Sequence, residues 1–390
     1  MNHSARASNA LVSEAEALRD WLFDDALPLW WRVGADRSSG GYYERIDFGG
    51  RPVILPRRSR VAARQAFCYC EAGRLGWQGH WRDAARHALK FLRERFLRPD
   101  GTVLPALQPD GSVAGRAFDL YDQAFALLAF ACGQSIEPAE DWRRSAYALI
   151  DTLGRDFAHP CGGFREDHEA QLPLRANPHM HLLEAALVWL SIDDDPAWQR
   201  LADGTVALCL DRFIEPRTGA LREFFAGDWA PLHGVQGEAV EPGHHYEWAF
   251  LLDRWAKLRN RARPAAVAKL IAFADANGID RQRHVAVNAI TLNGRIHDPV
   301  ARLWPQTERL RAYVIAHQTG DDAKLGEAVA SLRRYLDAPL PGLWYENLGA
   351  DGHFVIEAAP ATSLYHIVGA IAEFWNTFGP HAKAATQAFD

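Results

Sequence analysis

The sequence predicts an all-α protein, an (α/α)6 barrel of six helical hairpins with short β-hairpins in the loops at one rim. Three observations carry that prediction. Apolar residues at helical spacing dominate the chain, while strand-like runs are short and sit beside glycines. Glycine turns return at Gly40-Gly41, Gly101, Gly162-Gly163, Gly219, Gly294 and Gly342, mostly about sixty residues apart with the fifth displaced. A second series, Arg60, Tyr121, His181, His244, Gln306 and His366, keeps the same period in steps of 61, 60, 63, 62 and 60 residues.

Each member of that second series lies within a turn of a residue that starts helices. Arg60 follows Ser59, Tyr121 follows Asp119, and His181 follows Asn177-Pro178; His244 follows Pro242-Gly243, Gln306 follows Trp304-Pro305, and His366 follows Thr362-Ser363. Between successive glycine turns there is room for two helices of ordinary length. Leu182, Leu183, Ala186, Leu187 and Leu190 form one face of a helix capped by Asn177-Pro178. Val267, Leu270, Ile271 and Ala274 do the same after Pro264, and Leu310, Tyr313, Val314 and His317 after Trp304-Pro305, closed by Gly320. Gly41-Tyr42-Tyr43-Glu44 and Gly342-Leu343-Trp344-Tyr345-Glu346 read as small hairpins in loops. If the second helix of each pair lines the inside, all six inner helices start at one rim and their polar first turns surround one funnel. A linear solenoid of the same hairpins gives no reason for polar side chains to converge.

A chain of 390 residues with 48% hydrophobic and 24% charged residues has an ordinary globular composition, read here as one domain, 1–390, with flexible ends at 1–10 and 381–390. A net charge of −6 and no dense basic patch argue against nucleic acid. The longest apolar run, Ala124 to Cys132, is too short to cross a bilayer, and Met1 to Asp20 has no signal-peptide pattern. Cys68, Cys70, Cys132, Cys161 and Cys209 are odd in number and lack metal-finger spacing, which fits reduced thiols. The expectation is a cytoplasmic protein without membrane contact, a monomer or homodimer. Most of the 14 tryptophans belong in a core, though an aromatic face in a cleft also suits a sugar ring.

The rim would hold Arg60, Tyr121, Asp122, Asn177, His181, Glu184, His244, Glu247, Trp304, Gln306, Glu308 and His366. Asn177, His181 and Glu184 form one helical stripe opposite the leucine face, and His179 falls off it. His244 and Glu247 are three apart, so the carboxylate can orient the imidazole, while the helix N-terminus should lower the histidine's pKa and keep it neutral. Proton transfer beside a sugar carbonyl needs one or two neutral imidazoles on the C–H and donors on the oxygen that becomes an enediolate; His244, His366 and Arg60 supply them. Glycoside hydrolysis needs two flanking carboxylates, for which Glu184, Glu247 and Glu308 could be recruited, but the histidines would then lack a role. A zinc site from His179, His181, His244 and His245 lacks the usual ligand spacing, so no metal is expected.

At these residues the chain resembles the N-acylglucosamine 2-epimerase superfamily, which also contains cellobiose 2-epimerases and bacterial mannose isomerases. The matching stretches are Arg60-Val61-Ala62-Ala63-Arg64-Gln65, Asp119-Leu120-Tyr121-Asp122-Gln123-Ala124-Phe125 and Asn177-Pro178-His179-Met180-His181-Leu182-Leu183-Glu184-Ala185. They continue with Pro242-Gly243-His244-His245-Tyr246-Glu247-Trp248, Arg302-Leu303-Trp304-Pro305-Gln306-Thr307-Glu308 and Ser363-Leu364-Tyr365-His366. The resemblance implies cofactor-independent chemistry on a monosaccharide through a cis-enediol(ate). It makes His244 and His366 the acid/base pair, Glu247 the partner of His244 and Arg60 the ligand of O1/O2. It places His181, Trp304 and Glu308 along the sugar site, where Asn177, Glu184, Tyr121 and Gln306 join them by position on the rim. Trp304-Pro305-Gln306-Thr307-Glu308 is most similar to the mannose isomerases, which points to D-mannose and D-fructose, with D-lyxose and D-xylulose as further candidates. A sugar 2-epimerase and a non-catalytic sugar-binding protein remain the alternatives.

Overall fold

The computed structural model describes residues 9–115, 117–167, 171–317 and 322–380. Among them are twelve long helices: α1 (Asn9–Asp20), α2 (Ser59–Arg74), α3 (Trp81–Phe91), α4 (Leu120–Ile136), α5 (Trp142–Thr152) and α6 (Asn177–Leu190) in the first half. The second half adds α7 (Pro196–Leu208), α8 (Pro242–Leu258), α9 (Ala265–Asn277), α10 (Leu303–Ala316), α11 (Asp322–Leu336) and α12 (Ala361–Phe378). The even-numbered helices pack each on the next, and α12 returns to α2, so the ring is closed; the odd-numbered helices cover it, with α1 against α12. Outer-then-inner pairs thus make repeats one to six, as the sixty-residue period predicts.

The two layers differ as burial demands. Inner α4 and α8 are buried along nearly their whole length, whereas outer α3 buries Ala84, Ala85, Ala88 and Leu89 and turns Arg82 and Lys90 to solvent. Outer α3, α5 and α7 each run on into a π-helical turn that ends on a buried phenylalanine, Phe96, Phe157 and Phe213. The chain then reverses through a left-handed residue. At Gly101 (φ +83°) a Cβ would lie 2.4 Å from the backbone nitrogen of Leu149 on α5, so the turn is pressed against the next outer helix.

Short antiparallel strands lace the rim. Arg57–Arg58 pairs with Ala106–Leu107, Leu174–Arg175 with Phe224–Phe225, and Ala239–Val240 with Ala289–Thr291. Ala301–Arg302 pairs with Asn347–Leu348, and Ala359–Pro360 with Arg45–Ile46. In each pair the strand leading into one inner helix bonds to the hairpin of the following repeat, and the last pair joins repeat six to repeat one.

Some local expectations shift. Residues 342–346 hold no strand; pairing begins at Asn347, and in the first unit at Arg45 after an isolated bridge from Tyr42 to Ala35. The displaced fifth glycine is explained too. Gly294 belongs to an extra hairpin, while the position equivalent to Gly101 and Gly219 is His284, left-handed at φ +57°. Asn177 is the first residue of α6 and not its cap, since Ala176 precedes it. Asn9 and Ala10 belong to α1; 1–8, 381–390 and Gly320 lie outside the described residues. No described helix is long and apolar enough to cross a membrane. All five cysteines are free, and only Cys161 is exposed.

Candidate active site

The first turns of the inner helices enclose a cavity of about 150 Å³ at the rim, smaller than the sites that take drug-sized ligands. Every inner helix contributes: Arg64 from α2, Tyr121 from α4, Asn177 and His181 from α6, His244 and Glu247 from α8, Trp304 from α10, and Thr362, Ser363 and His366 from α12. Glu241 and Arg302, the residues leading into α8 and α10, complete the wall. The two candidate acid/base histidines share this cavity, and both rings touch Trp304, with centroids 5.0 Å from His244 and 5.7 Å from His366. Trp30, Trp142, Trp189, Trp198, Trp229, Trp248 and Trp344 are core residues, so Trp304 is set apart by its position.

Gln306 does not line the cavity. It is fully buried: its Oε1 accepts the N–H of Ala286 at 2.8 Å and its Nε2 donates to the carbonyls of Ala286 and Arg302, both at 2.9 Å. Gln123 holds Val103 and Asp119 in the same way. His179 and His245 repeat the clasp with imidazole. Their Nε2 atoms accept from Phe164 N–H (3.0 Å) and Leu221 N–H (2.9 Å), and their Nδ1 atoms donate to Arg175 and Glu241 carbonyls one turn back. Four repeats therefore fasten a rim loop to an inner helix with one side chain. With both nitrogens engaged and burial lowering each pKa to about 4, His179 and His245 are neutral scaffold, not the zinc ligands weighed above.

The partner of His244 is Glu223, not Glu247. The Nδ1 of His244 meets Glu223 Oε2 at 2.9 Å, with Glu241 at 3.9 Å. Burial opposes the charged ring, but Glu223, Glu241 and the more distant Glu247 outweigh it and lift the pKa to about 10. The helix dipole therefore does not keep His244 neutral; it carries a proton at pH 7. Glu223 lies outside the helix-start series that singles out His244, because it comes from the rim hairpin that pairs with the preceding repeat.

His366 is the opposite case. Its Nδ1 meets Glu308 Oε1 at 2.8 Å, yet its pKa falls well below 6.5, through burial first and then the charges of Arg64 and Arg311. Glu308 is fully buried and also accepts from Arg311 at 2.8 Å, so it sits behind His366 and does not line the cavity. His181 is likewise neutral, lowered to about 4 by burial despite a 3.3 Å contact with Glu184. Burial together with Glu308 and Glu184 pushes Glu247 well above the usual carboxylate range; its Oε1, 3.9 Å from His181 Nδ1, makes no hydrogen bond. Glu184 bonds the Tyr365 hydroxyl and stands below the cavity.

Arg60 is withdrawn as well. Its Nε and Nη2 each donate to Asp122 at 2.7 Å, and it takes no part in the cavity wall. The α2 guanidinium that does is that of Arg64, one turn further along, fixed by the Tyr121 hydroxyl at 2.6 Å and the Thr362 carbonyl at 3.1 Å. Its Nε is buried without a protein partner, as is Oδ1 of Asn177. Unmet donors and acceptors around one small cavity are what a polyhydroxy ligand would satisfy. Arg64 stood inside the quoted Arg60–Gln65 stretch, and its i, i+4 relation to Arg60 was the available signal.

The family model described as N-acylglucosamine 2-epimerase (GlcNAc 2-epimerase) matches residues 41–370. A protein of Rhizobium meliloti (strain 1021) named mannose-6-phosphate isomerase is 44% identical over 373 residues, covering 92% of this chain and 96% of its own length. A D-mannose isomerase of Marinomonas mediterranea is 23% identical over 362 residues, covering 87% and 91%. The solved structure of cellobiose 2-epimerase from Bacillus thermoamylovorans B4167 shares the fold, with a TM-score of 0.82 at 19% identity over 93% of this chain and 98% of that one.

Proposed function

The chain belongs to the N-acylglucosamine 2-epimerase family of sugar isomerases and epimerases, and from that premise we propose that it interconverts D-mannose and D-fructose through a cis-enediol(ate). One observation carries the reading: a neutral imidazole and a protonated one face the same monosaccharide-sized cavity. On the open-chain aldose, His366 Nε2 takes the C2 proton as the C1–O1 double bond becomes a single bond. The charge that develops on O1 is met by Arg64, and His244 supplies a proton to it. Return of a proton to C1, with loss of the O2 proton, completes the ketose. Return of a proton to the opposite face of C2, with the O1 proton passing back to His244 as the C1–O1 double bond re-forms, gives the epimer from the same residues. No cofactor enters these steps.

A second reading, a sugar bearing a 6-phosphate, has its own support in Arg302. The arginines leading into α2 and α6, Arg58 and Arg175, are each clamped by a carboxylate with Nε at 2.7 Å, whereas Arg302 Nε lies 3.8 Å from its nearest carboxylate, Glu346. A loosely held guanidinium on a sugar cavity suits a phosphate, and the name of the 44% identical relative is in keeping with that. Incubation with D-mannose and with mannose 6-phosphate in deuterated water tests both. Deuterium should enter the ketose formed, or C2 of recovered aldose if the enzyme epimerises. Absence of turnover on both, and on fructose, glucose, lyxose and cellobiose, overturns the assignment.

A further inference from the structure

The rim is built six times, and its copies can be superimposed through their hydrogen bonds. The carbonyl of Glu44 accepts the first N–H of α12, that of Glu166 the first N–H of α4, and that of Glu346 the first N–H of α10; the carbonyl of Glu223 accepts from Ala176, just before α6. These four glutamates occupy one position in the repeat. In repeats one and three the carboxylate clamps the arginine that leads into the repeat's own inner helix. Glu44 accepts from the N–H and Nε of Arg58, and Glu166 from the N–H and Nε of Arg175, all at 2.7 Å.

In repeats four and six that arginine is missing. Glu241 stands before α8, where a second carboxylate cannot be clamped, and Pro360 stands before α12. The glutamate then turns to a side chain in the first turns of the helix, Glu223 to His244 Nδ1 at 2.9 Å and Glu346 to the Ser363 hydroxyl at 2.7 Å. The two repeats whose clamp is broken are the two that carry the candidate acid/base histidines, His244 and His366, whereas repeat three, with its clamp intact, carries the third cavity histidine, His181.

We propose that Glu223 is a positioning residue for the reaction: a scaffold clamp which, lacking its arginine, fixes His244 with Nδ1–H on the carboxylate and Nε2 toward the substrate. The same carboxylate, in contact with the ring, favours its protonated form. This rests on the acid role given to His244 above. The charged and titratable groups facing that ring are Glu223 from the rim hairpin, Glu241 before the helix, Glu247 one turn along it and His181 across from α6, with Arg302 bearing on Glu241. Glu223 is the nearest of them. Its other oxygen, Oε1, is buried without a partner, so no second group competes for its charge.

The test follows the His244 ring by NMR in histidine-labelled protein, assigned by its loss in His244→Asn, in wild type, Glu223→Gln and Glu223→Asp. In Glu223→Gln the His244 midpoint should fall by roughly one to two pH units, the size expected for losing one adjacent opposite charge, and Glu223→Asp should restore much of it. The alkaline limb of kcat/KM should move down with it, and kcat should fall more than KM rises. A folded Glu223→Gln protein whose His244 midpoint does not move overturns the proposal, as does a midpoint that moves while the alkaline limb stays. If the wild type turns over no sugar, the functional reading fails by itself, and the titration still decides whether Glu223 holds the proton on His244.

Discussion

Glu308 Oε1 lies 2.8 Å from His366 Nδ1, nearly the same separation as Glu223 from His244, yet the two imidazoles end in opposite charge states. The difference lies behind the carboxylates. Glu308 is shared with Arg311 at 2.8 Å, and Arg64 adds a second positive charge toward His366. Among the described residues Glu223 pairs with no lysine or arginine, and Glu241 adds a second negative charge toward His244. Burial is common to both; the neighbouring charges decide the outcome.

A broad pH profile follows. His366 must be neutral and His244 protonated, so kcat/KM should be flat through neutral pH and fall on the alkaline side near 10, where His244 loses its proton. Initial rates from about pH 5 to 11 measure this. An alkaline fall centred near 7 would show that His244 is neutral in the resting enzyme.

Removing either imidazole should be costly without unfolding the barrel. His366→Ala and His244→Ala should each lower turnover by about 10²–10⁴-fold, the usual worth of a positioned acid or base. His366→Ala should also abolish exchange of the C2 proton with deuterated water. Retention of near-normal exchange in that variant assigns the base elsewhere.

Arg64 and Arg60 should separate cleanly. Arg64→Ala removes a donor from the cavity and should reduce kcat by about 10²–10³-fold, the scale seen when one oxyanion donor is lost. Arg60→Ala should spare turnover per folded molecule and instead cost stability, of the order of 3 kcal/mol, because the buried Asp122 carboxylate loses a partner that is itself only partly buried. That cost will be smaller where Asp122, whose pKa burial raises to about 6, takes up a proton. Assays paired with urea unfolding distinguish the two.

The clasp predicts a substitution that improves acid tolerance. His245 is held at about 4 when folded against 6.5 for a free imidazole. For a histidine with a depressed folded value, the unfolded chain gains the proton first. Stability is therefore intact above 6.5 and lost as pH falls toward 4. Between pH 7 and 5 this one residue removes about 2 kcal/mol. Glutamine performs the same clasp at Gln123 and Gln306, so His245→Gln should fold and lose about 2 kcal/mol less than wild type over that interval. Urea unfolding at the two pH values measures it, and equal losses would mean that His245 is not held neutral.

The fold was legible because a closed ring repeats its own local requirements. Each repeat needs a left-handed turn after the outer helix and a polar entry to the inner one, and both leave residues at a fixed period. His284 shows the limit: it fills a glycine's place with a positive φ that its residue type does not announce. The site was half legible for a related reason. Periodicity finds which residues stand on the rim, but cannot say which of two neighbours faces inward. Gln306 and Trp304 are two apart, and only the contact with Ala286 assigns one to scaffold and the other to the cavity. Arg60 and Arg64 share a helix face, and Asp122 on the next helix decides between them. Glu223 reaches His244 across a strand ladder, a relation with no sequence spacing to betray it.

The join between the last inner helix and the first rim hairpin also bears on biosynthesis. Ala361 N–H donates to Glu44, Gln65 to the Ala361 carbonyl, and α12 brings His366. A nascent chain five staves long is an open crescent whose apolar edges on α2 and α10 await the sixth. Catalytic competence and the sealing of those edges therefore arrive together, as α12 leaves the ribosome. Any truncation before that helix should yield an aggregation-prone product, not a weakly active one.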